Sequence, residues 1–233
     1  MKLYYDLHIH SCLSPCGDDD MTPNNILNMS LLKELDVIAV TDHNTGKNVR
    51  AIMELSKDFD LLLIPGMEVQ TREEVHMLCY FQSVEALEAF EKALDAKRFE
   101  IPNRPDHFGN QLILDKEDHL VEVYPYALIM SIDISVEHLI ALCKEHGGVC
   151  VPAHVNKSAN SILANLGFIP KELGIKTIEI HRKSPVNETL IDGYQRIYNS
   201  DAHYLEHISE RENVVDVASK DILSILKYLS GED

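Results

Sequence analysis

The chain has 233 residues, 45% of them hydrophobic, and a formal net charge of −17 from 38 Asp and Glu against 21 Lys and Arg. That is enough apolar material for one α/β core, and the acidic balance makes a long nucleic acid an unlikely partner, because duplex affinity comes mainly from Lys and Arg neutralising phosphates. Neither a signal-type leader nor an apolar run near the roughly 18 residues of a membrane span is read, and five scattered cysteines suit free thiols of a cytoplasmic protein better than a disulfide framework.

The apolar stretch Leu3-Tyr4-Tyr5 runs into Asp6-Leu7-His8-Ile9-His10-Ser11. In extended backbone, side chains two apart share a face, so His8 and His10 are presented together to one metal ion. A polar loop holds Cys16 and the run Asp18-Asp19-Asp20. Thr22-Pro23 then reads as cap and first position of a helix to about Glu34. Asp36 to Val40 is a short buried strand of parallel-sheet type, delivering Thr41-Asp42-His43-Asn44. A helix over about Lys47 to Lys57 returns the chain to a third strand, Leu61 to Pro65, which delivers Gly66-Met67-Glu68.

Too few residues separate Glu68 from His76 for a helical crossover, so Val75 to Phe81 is expected to pair as a hairpin with Met67–Thr71 or to enter the barrel irregularly. Val84 to Lys97 is an amphipathic helix. Residues 98–134 break the rhythm with Pro102, Pro105, Gly109 and Pro125, and read as an insertion or lid within a single domain spanning 1–233. A helix from Ser135 to about His146 precedes the strand Val149 to Ala153, which ends in His154. Lys176 to Ile180 ends in His181-Arg182, and Ile197-Tyr198-Asn199 ends in Ser200-Asp201-Ala202-His203. A helix over about Asp216 to Leu229 closes the chain. Seven buried strands alternating with amphipathic helices predict a parallel α/β architecture, with the candidate ligands at the strands' carboxyl ends.

Those ligands are His8, His10, His43, Glu68, His76, His154, Asp201 and His203. Eight mixed imidazole and carboxylate groups exceed the need of one ion, so two to three divalent ions are expected, with Zn, Mn and Fe all compatible. The ordered motifs Asp6-Leu7-His8-Ile9-His10-Ser11, Thr41-Asp42-His43-Asn44, Gly66-Met67-Glu68 with Val75-His76, Pro152-Ala153-His154 and Ser200-Asp201-Ala202-His203 resemble those of the polymerase and histidinol phosphatase (PHP) superfamily of metal-dependent phosphoesterases.

The resemblance implies a distorted seven-stranded (β/α) barrel with a trinuclear site. His8, His10, Glu68 and Asp201 would hold the first ion. Glu68 would bridge to a second held by His76 and His154, and His43 with His203 would hold a third. The family's further ligand, in the loop after the first motif, is usually His or Asp. Cys16 and Asp18 to Asp20 stand here instead, and Asp18 or Asp19 is favoured because a carboxylate suits all three metals. The implied chemistry is hydrolysis of a small phosphoester by a metal-activated hydroxide, with Glu68, Asp201 and His203 catalytic and the latter two the candidates for proton handling where they are not fully committed as ligands. Arg182, Lys183 and Lys157 are candidate phosphate contacts, Arg182 and Lys157 foremost. Alternatives are cleavage of a phosphodiester at a short nucleic-acid end, a C–N hydrolase, and a non-catalytic PHP-like binding module.

Overall fold

The computed structural model describes residues 1–232. In chain order its strands are β1 (Lys2–Ile9), β2 (Val37–Val40), β3 (Leu62–Leu63), β4 (Gly66–Gln70), β5 (His76–Tyr80), β6 (Leu112–Leu114), β7 (Leu120–Val123), β8 (Val149–Pro152), β9 (Thr177–Glu179), β10 (Gln195–Ile197) and β11 (Val214–Asp216). Its α-helices are α1 (Pro23–Leu32), α2 (Val49–Ser56), α3 (Val84–Leu94), α4 (Pro105–Phe108), α5 (Val136–Glu145), α6 (Ile162–Leu166) and α7 (Ile222–Ser230). Thr22, Ser83, Ser135, Ser161 and Asp221 each cap a helix through a side-chain oxygen, a contact worth about 1 kcal/mol.

The fold is mixed α/β, but its strands do not close into one seven-stranded ring. Hydrogen bonding divides them into four small sheets, ordered β11-β1-β2-β3, β4-β5-β8, β9-β10 and β6-β7. Two causes are visible. Strands of two to four residues, such as β2, β3 and β9, offer little edge for continuous ladders, and β5 reverses direction, pairing antiparallel with both β4 and β8. The hairpin alternative for residues 75–81 is therefore the one adopted, as is the hairpin within the insertion. A strand absent from the sequence reading, β11, pairs antiparallel with β1 just where the last helix was expected to begin. Isolated bridges Ile9–Ala202 and His43–Glu68 stitch the separate sheets at the site.

Side-chain alternation still builds two apolar layers. Along β5, Leu78 and Tyr80 join Tyr5, Leu7, Ala39, Val151 and Ile197 in an inner cluster. Met77 and Cys79 join Ile26, Ile52, Phe90 and Leu139 in the layer shared with the helices. In β1, Leu7 belongs to the inner cluster and Ile9 to the outer one, and the register against β2 shifts between Asp6 and Ile9. The insertion is tied down beside the second motif. The Asn44 amide donates to the carbonyls of Leu128 and Met130, both at 2.9 Å, the Arg98 guanidinium donates to the Asn44 carbonyl, and Asn48 exchanges two hydrogen bonds with the backbone of β6. Among the described residues no helix is long and apolar enough to cross a membrane.

Candidate metal centre

Glu68, in the middle of β4, is completely buried, and five imidazoles surround its carboxylate. His43 Nδ1 and His76 Nδ1 lie 3.0 Å from it, His8 Nε2 and His154 Nε2 3.4 Å, and His10 Nε2 3.5 Å. Asp201 Oδ1 stands 3.1 Å from His10 Nε2 and 3.4 Å from His8 Nε2. The His203 ring stacks on that of His10 with centroids 4.3 Å apart. All eight expected ligands are thus brought together. Backbone strain attends this convergence, since His154 (φ 28°), Asp201 (φ 54°) and Asn44 (φ 55°) occupy the left-handed region that side chains seldom adopt.

For His8, His10 and His203, the partner of the far ring nitrogen fixes what the near nitrogen offers. Glu179 accepts from His8 Nδ1 at 3.0 Å, which turns Nε2 into the basin. The Ser14 hydroxyl spends its proton on Asp42 at 2.6 Å, so it must accept from His10 Nδ1 at 2.9 Å, leaving the lone pair on His10 Nε2. Asp42 is in turn held by the backbone N–H and hydroxyl of Ser11. His203 Nδ1 donates to the Asp201 carbonyl at 2.8 Å, so its Nε2 faces Cys16 Sγ at 3.0 Å.

This donor set fits divalent cations. His8 Nε2 and His10 Nε2 face each other at 3.1 Å, an approach of two ring nitrogens that needs a proton or a cation between them. His43 Nδ1 and Glu68 Oε2 are 3.0 Å apart without aligning as a hydrogen bond, and both, with His76 Nε2 and His154 Nδ1, are buried without a hydrogen-bond partner. Buried polar atoms are ordinarily satisfied, so a cluster of unsatisfied donors around one carboxylate has the character of a ligand shell. Burial opposes ionisation of Glu68, but His76, His8 and His43 outweigh it and hold the carboxyl well below its usual range. Burial likewise opposes charge on His8, yet Glu179, Asp201 and Glu68 keep it well above the ordinary imidazole range, whereas burial and His203 drive His10 well below it. Protons retained in such a cluster sit where cations would bind.

Two expectations need correction. Asp18 is not brought to the cluster: its Oδ1 accepts from the Asp20 N–H at 2.9 Å within its own turn, while its backbone N–H docks on the His203 carbonyl. Cys16 takes the place beside His203 and His43, because the turn over Ser14 to Gly17 closes on itself through Gly17 N–H to the Ser14 carbonyl. Burial pushes the Cys16 thiol up, but hydrogen bonds with His203 and His43 more than offset it, bringing it to about 7. Arg182 is the second correction. Its guanidinium lies 4.4 Å from the Tyr198 ring centroid and donates to Asn213, outside the basin.

Lys157 does line the basin, paired with Asp201. The open space there is about 490 Å³, walled also by Asn160, His181, Ser184 and, from the insertion, Ile129. Glu179 was missed by the sequence reading, although it is 2% exposed and holds three groups: His8, the His154 N–H at 2.7 Å and the Asn199 amide at 2.7 Å. Its signal was a carboxylate one residue before the end of an apolar strand.

No family model matches the sequence. A stretch of 76 residues is 36% identical to an uncharacterized protein of Methanocaldococcus jannaschii, covering 29% of this chain and 44% of that one. Among solved structures, the lesion-specific endonuclease EndoQ of Pyrococcus furiosus superposes with a TM-score of 0.74 at 19% identity. EndoQ in complex with a 27-mer duplex carrying an abasic lesion at the active site gives 0.72 at 19% identity. All of this chain is covered in both, but only 57% of theirs, so it spans little more than half their length. A two-domain protein of Bacteroides vulgatus containing a predicted PHP-like metal-dependent phosphoesterase gives 0.60 at 16% identity, over 99% of this chain and 63% of that one. The PHP resemblance read from the motifs is accordingly met in three dimensions, and the chain has the fold of PHP-like metal-dependent phosphoesterases and of EndoQ.

Proposed function

We propose that the protein is a metal-dependent phosphoesterase of the PHP type, acting on a small phosphorylated substrate. The observation that carries this reading is the convergence of five imidazoles on buried Glu68, with a nitrogen of His43, His76 and His154 and one oxygen of Glu68 itself left without a hydrogen-bond partner. His8, His10, Glu68 and Asp201 would hold one ion, Glu68, His76 and His154 a second, and His43, His203 and Cys16 a third. When bound, divalent ions supply Lewis acidity at phosphate oxygens and lower the pKa of water toward neutrality.

The chain's own groups supply the rest. Lys157, on the basin wall, is placed to pair with a non-bridging phosphate oxygen. Its ion pair with Asp201 restrains both groups before substrate arrives. His203, less buried than the other imidazoles, is the group positioned to pass a proton to the departing oxygen when it is not itself holding an ion. His181 and Ser184, hydrogen-bonded to each other at 2.8 Å, form the facing wall. Ile129 places the insertion at the mouth, where it would act as a lid selecting substrate.

A second reading is favoured by the likeness to EndoQ: cleavage of a phosphodiester in a nucleic-acid strand. The net charge of −17 weighs against a long duplex held by this chain alone. Both readings are tested by loading the protein with Mn(II) or Zn(II) and assaying p-nitrophenyl phosphate, bis-p-nitrophenyl phosphate and a duplex with one abasic site. Turnover of the monoester alone supports the first reading, and strand cleavage without monoester turnover supports the second. Absence of all three activities in protein shown to carry its ions contradicts both and leaves a binding module.

A further inference from the structure

Three cysteines meet behind the basin, on the helix side of β5 and β8. Cys79 and Cys150 are directly opposed across these antiparallel strands, with Sγ atoms 3.5 Å apart. Cys143, near the end of α5, completes a triad whose three Sγ atoms all lie within 4.8 Å of one another. Cys79 and Cys143 are fully buried, and Cys150 is half-buried. Strand rise separates this triad from the histidine basin. Cys79 is three residues along β5 from His76, which at about 3.3 Å per residue amounts to roughly 10 Å, and Cys150 lies inside β8 while His154 follows its end. No ion could be shared between the two places.

The local backbone makes room for the third thiol. A Cβ at Gly148 would stand 2.6 Å from Cys143 Sγ, so only glycine there lets the α5 sulfur approach the sheet. Gly147, at φ 71°, turns the chain from α5 into β8 and thereby places Cys143 over Cys150. On its solvent side Cys150 lines a surface pocket of about 360 Å³, together with Lys144 and Lys176.

We propose that Cys79, Cys143 and Cys150 form a second metal site, a thiolate site for a soft divalent cation of the zinc class. Zn–S bonds of about 2.3 Å in tetrahedral geometry space sulfurs about 3.8 Å apart, a value inside the range that the three Sγ atoms already span. Small rotations close the shell, whereas a disulfide would use only two of the sulfurs. An all-sulfur donor set selects zinc, cadmium or copper(I) over manganese and magnesium. On binding, each thiol gives up its proton to solvent, so that three protons leave as one M²⁺ enters. The site then carries one net negative charge. Lys144 and Lys176, which line the same pocket as Cys150, would offset it, and that pocket is the side from which a fourth ligand would reach the ion. Contacts from Cys143 and then Cys79 already lower the Cys150 thiol, whereas burial raises those two.

The test uses the full chain carrying Cys16→Ser, so that the basin has no thiol, with its histidine sites loaded with Mn(II). Cd(II) is titrated in under reducing conditions and the thiolate-to-cadmium charge-transfer absorption in the ultraviolet is followed. The site predicts a band that saturates at one equivalent per chain, and at least tenfold weaker cadmium binding in Cys143→Ser and in Cys150→Ser. Cys150→Ser, at the half-buried position, carries the test if Cys143→Ser does not fold. Absence of the band, or a band unchanged by these substitutions, overturns the proposal whatever activity the basin proves to have.

Discussion

The inner and outer sides of the histidine basin are built in different ways. On the inner side, His8, His10 and Glu68 are carried on or directly after strands and are fully buried, and Glu179 behind them is 2% exposed. Their far atoms are locked, His8 by Glu179 and His10 through Ser14 to Asp42. On the outer side, Cys16 and His203 sit on loops, are partly open to solvent, and hold each other at 3.0 Å. The inner side is preorganised, with little ordering left to do when a cation arrives. The outer side has fewer restraints and is the part whose occupancy can vary.

Substitutions rank along this divide. Glu68→Ala removes the carboxylate on which all five imidazoles converge and has the largest expected effect, a loss of roughly 4 kcal/mol of transition-state stabilisation, or about a thousandfold in phosphoester turnover. Steady-state kinetics with saturating Mn(II) measures it, and retention of more than a tenth of the activity would mean that Glu68 is not at the centre. Glu179→Gln leaves every proposed ligand in place but loses the charge behind His8. Its expected cost is about 10- to 100-fold in metal affinity, read by competition with a chromophoric chelator, and an unchanged affinity would remove the basis for calling the inner side preorganised.

Cys16→Ser should act on the outer ion alone. With Co(II) as probe, in a Cys150→Ser background that disables the cysteine triad, the chain with Cys16 should show a sulfur-to-cobalt charge-transfer band and the Cys16→Ser variant none, with d–d bands from the inner ions kept in both. A band that survives the change would show that the sulfur is not a ligand. Asp18→Ala should leave metal stoichiometry and turnover within a factor of two, because its carboxylate is spent on the Asp20 N–H. A lost ion in that variant would restore the carboxylate to the outer side and displace Cys16.

The same divide governs what could be read from the amino-acid order. The inner candidate ligands follow from strand alternation and from their places at strand ends, so the convergence of His8, His10, His43, Glu68 and His154 was legible, and the hairpin that brings His76 back to Glu68 was one of the two alternatives expected. The outer candidate depends on how a loop turns, and a preference for carboxylates pointed to Asp18 where the fold brings Cys16 beside His203. Arg182 illustrates a related failure. It follows a strand end correctly, but the chain turns it toward Tyr198 and Asn213, and no local pattern announces such a turn. Glu179 was hidden because a carboxylate inside a short apolar strand has meaning only through its three spatial partners. Closure of the barrel was overestimated because strand count says nothing of direction, and β5 and β11 both run against the parallel rhythm.

The most direct test of the central claim is the Mn(II) content per chain, measured by elemental analysis after loading and desalting, for the wild type and Glu68→Ala side by side. Manganese is the appropriate ion because the cysteine triad should not retain it. The histidine basin predicts two to three ions per wild-type chain and at most one in the variant. One ion or none in the wild type, unchanged by Glu68→Ala, would contradict a multinuclear centre built on Glu68.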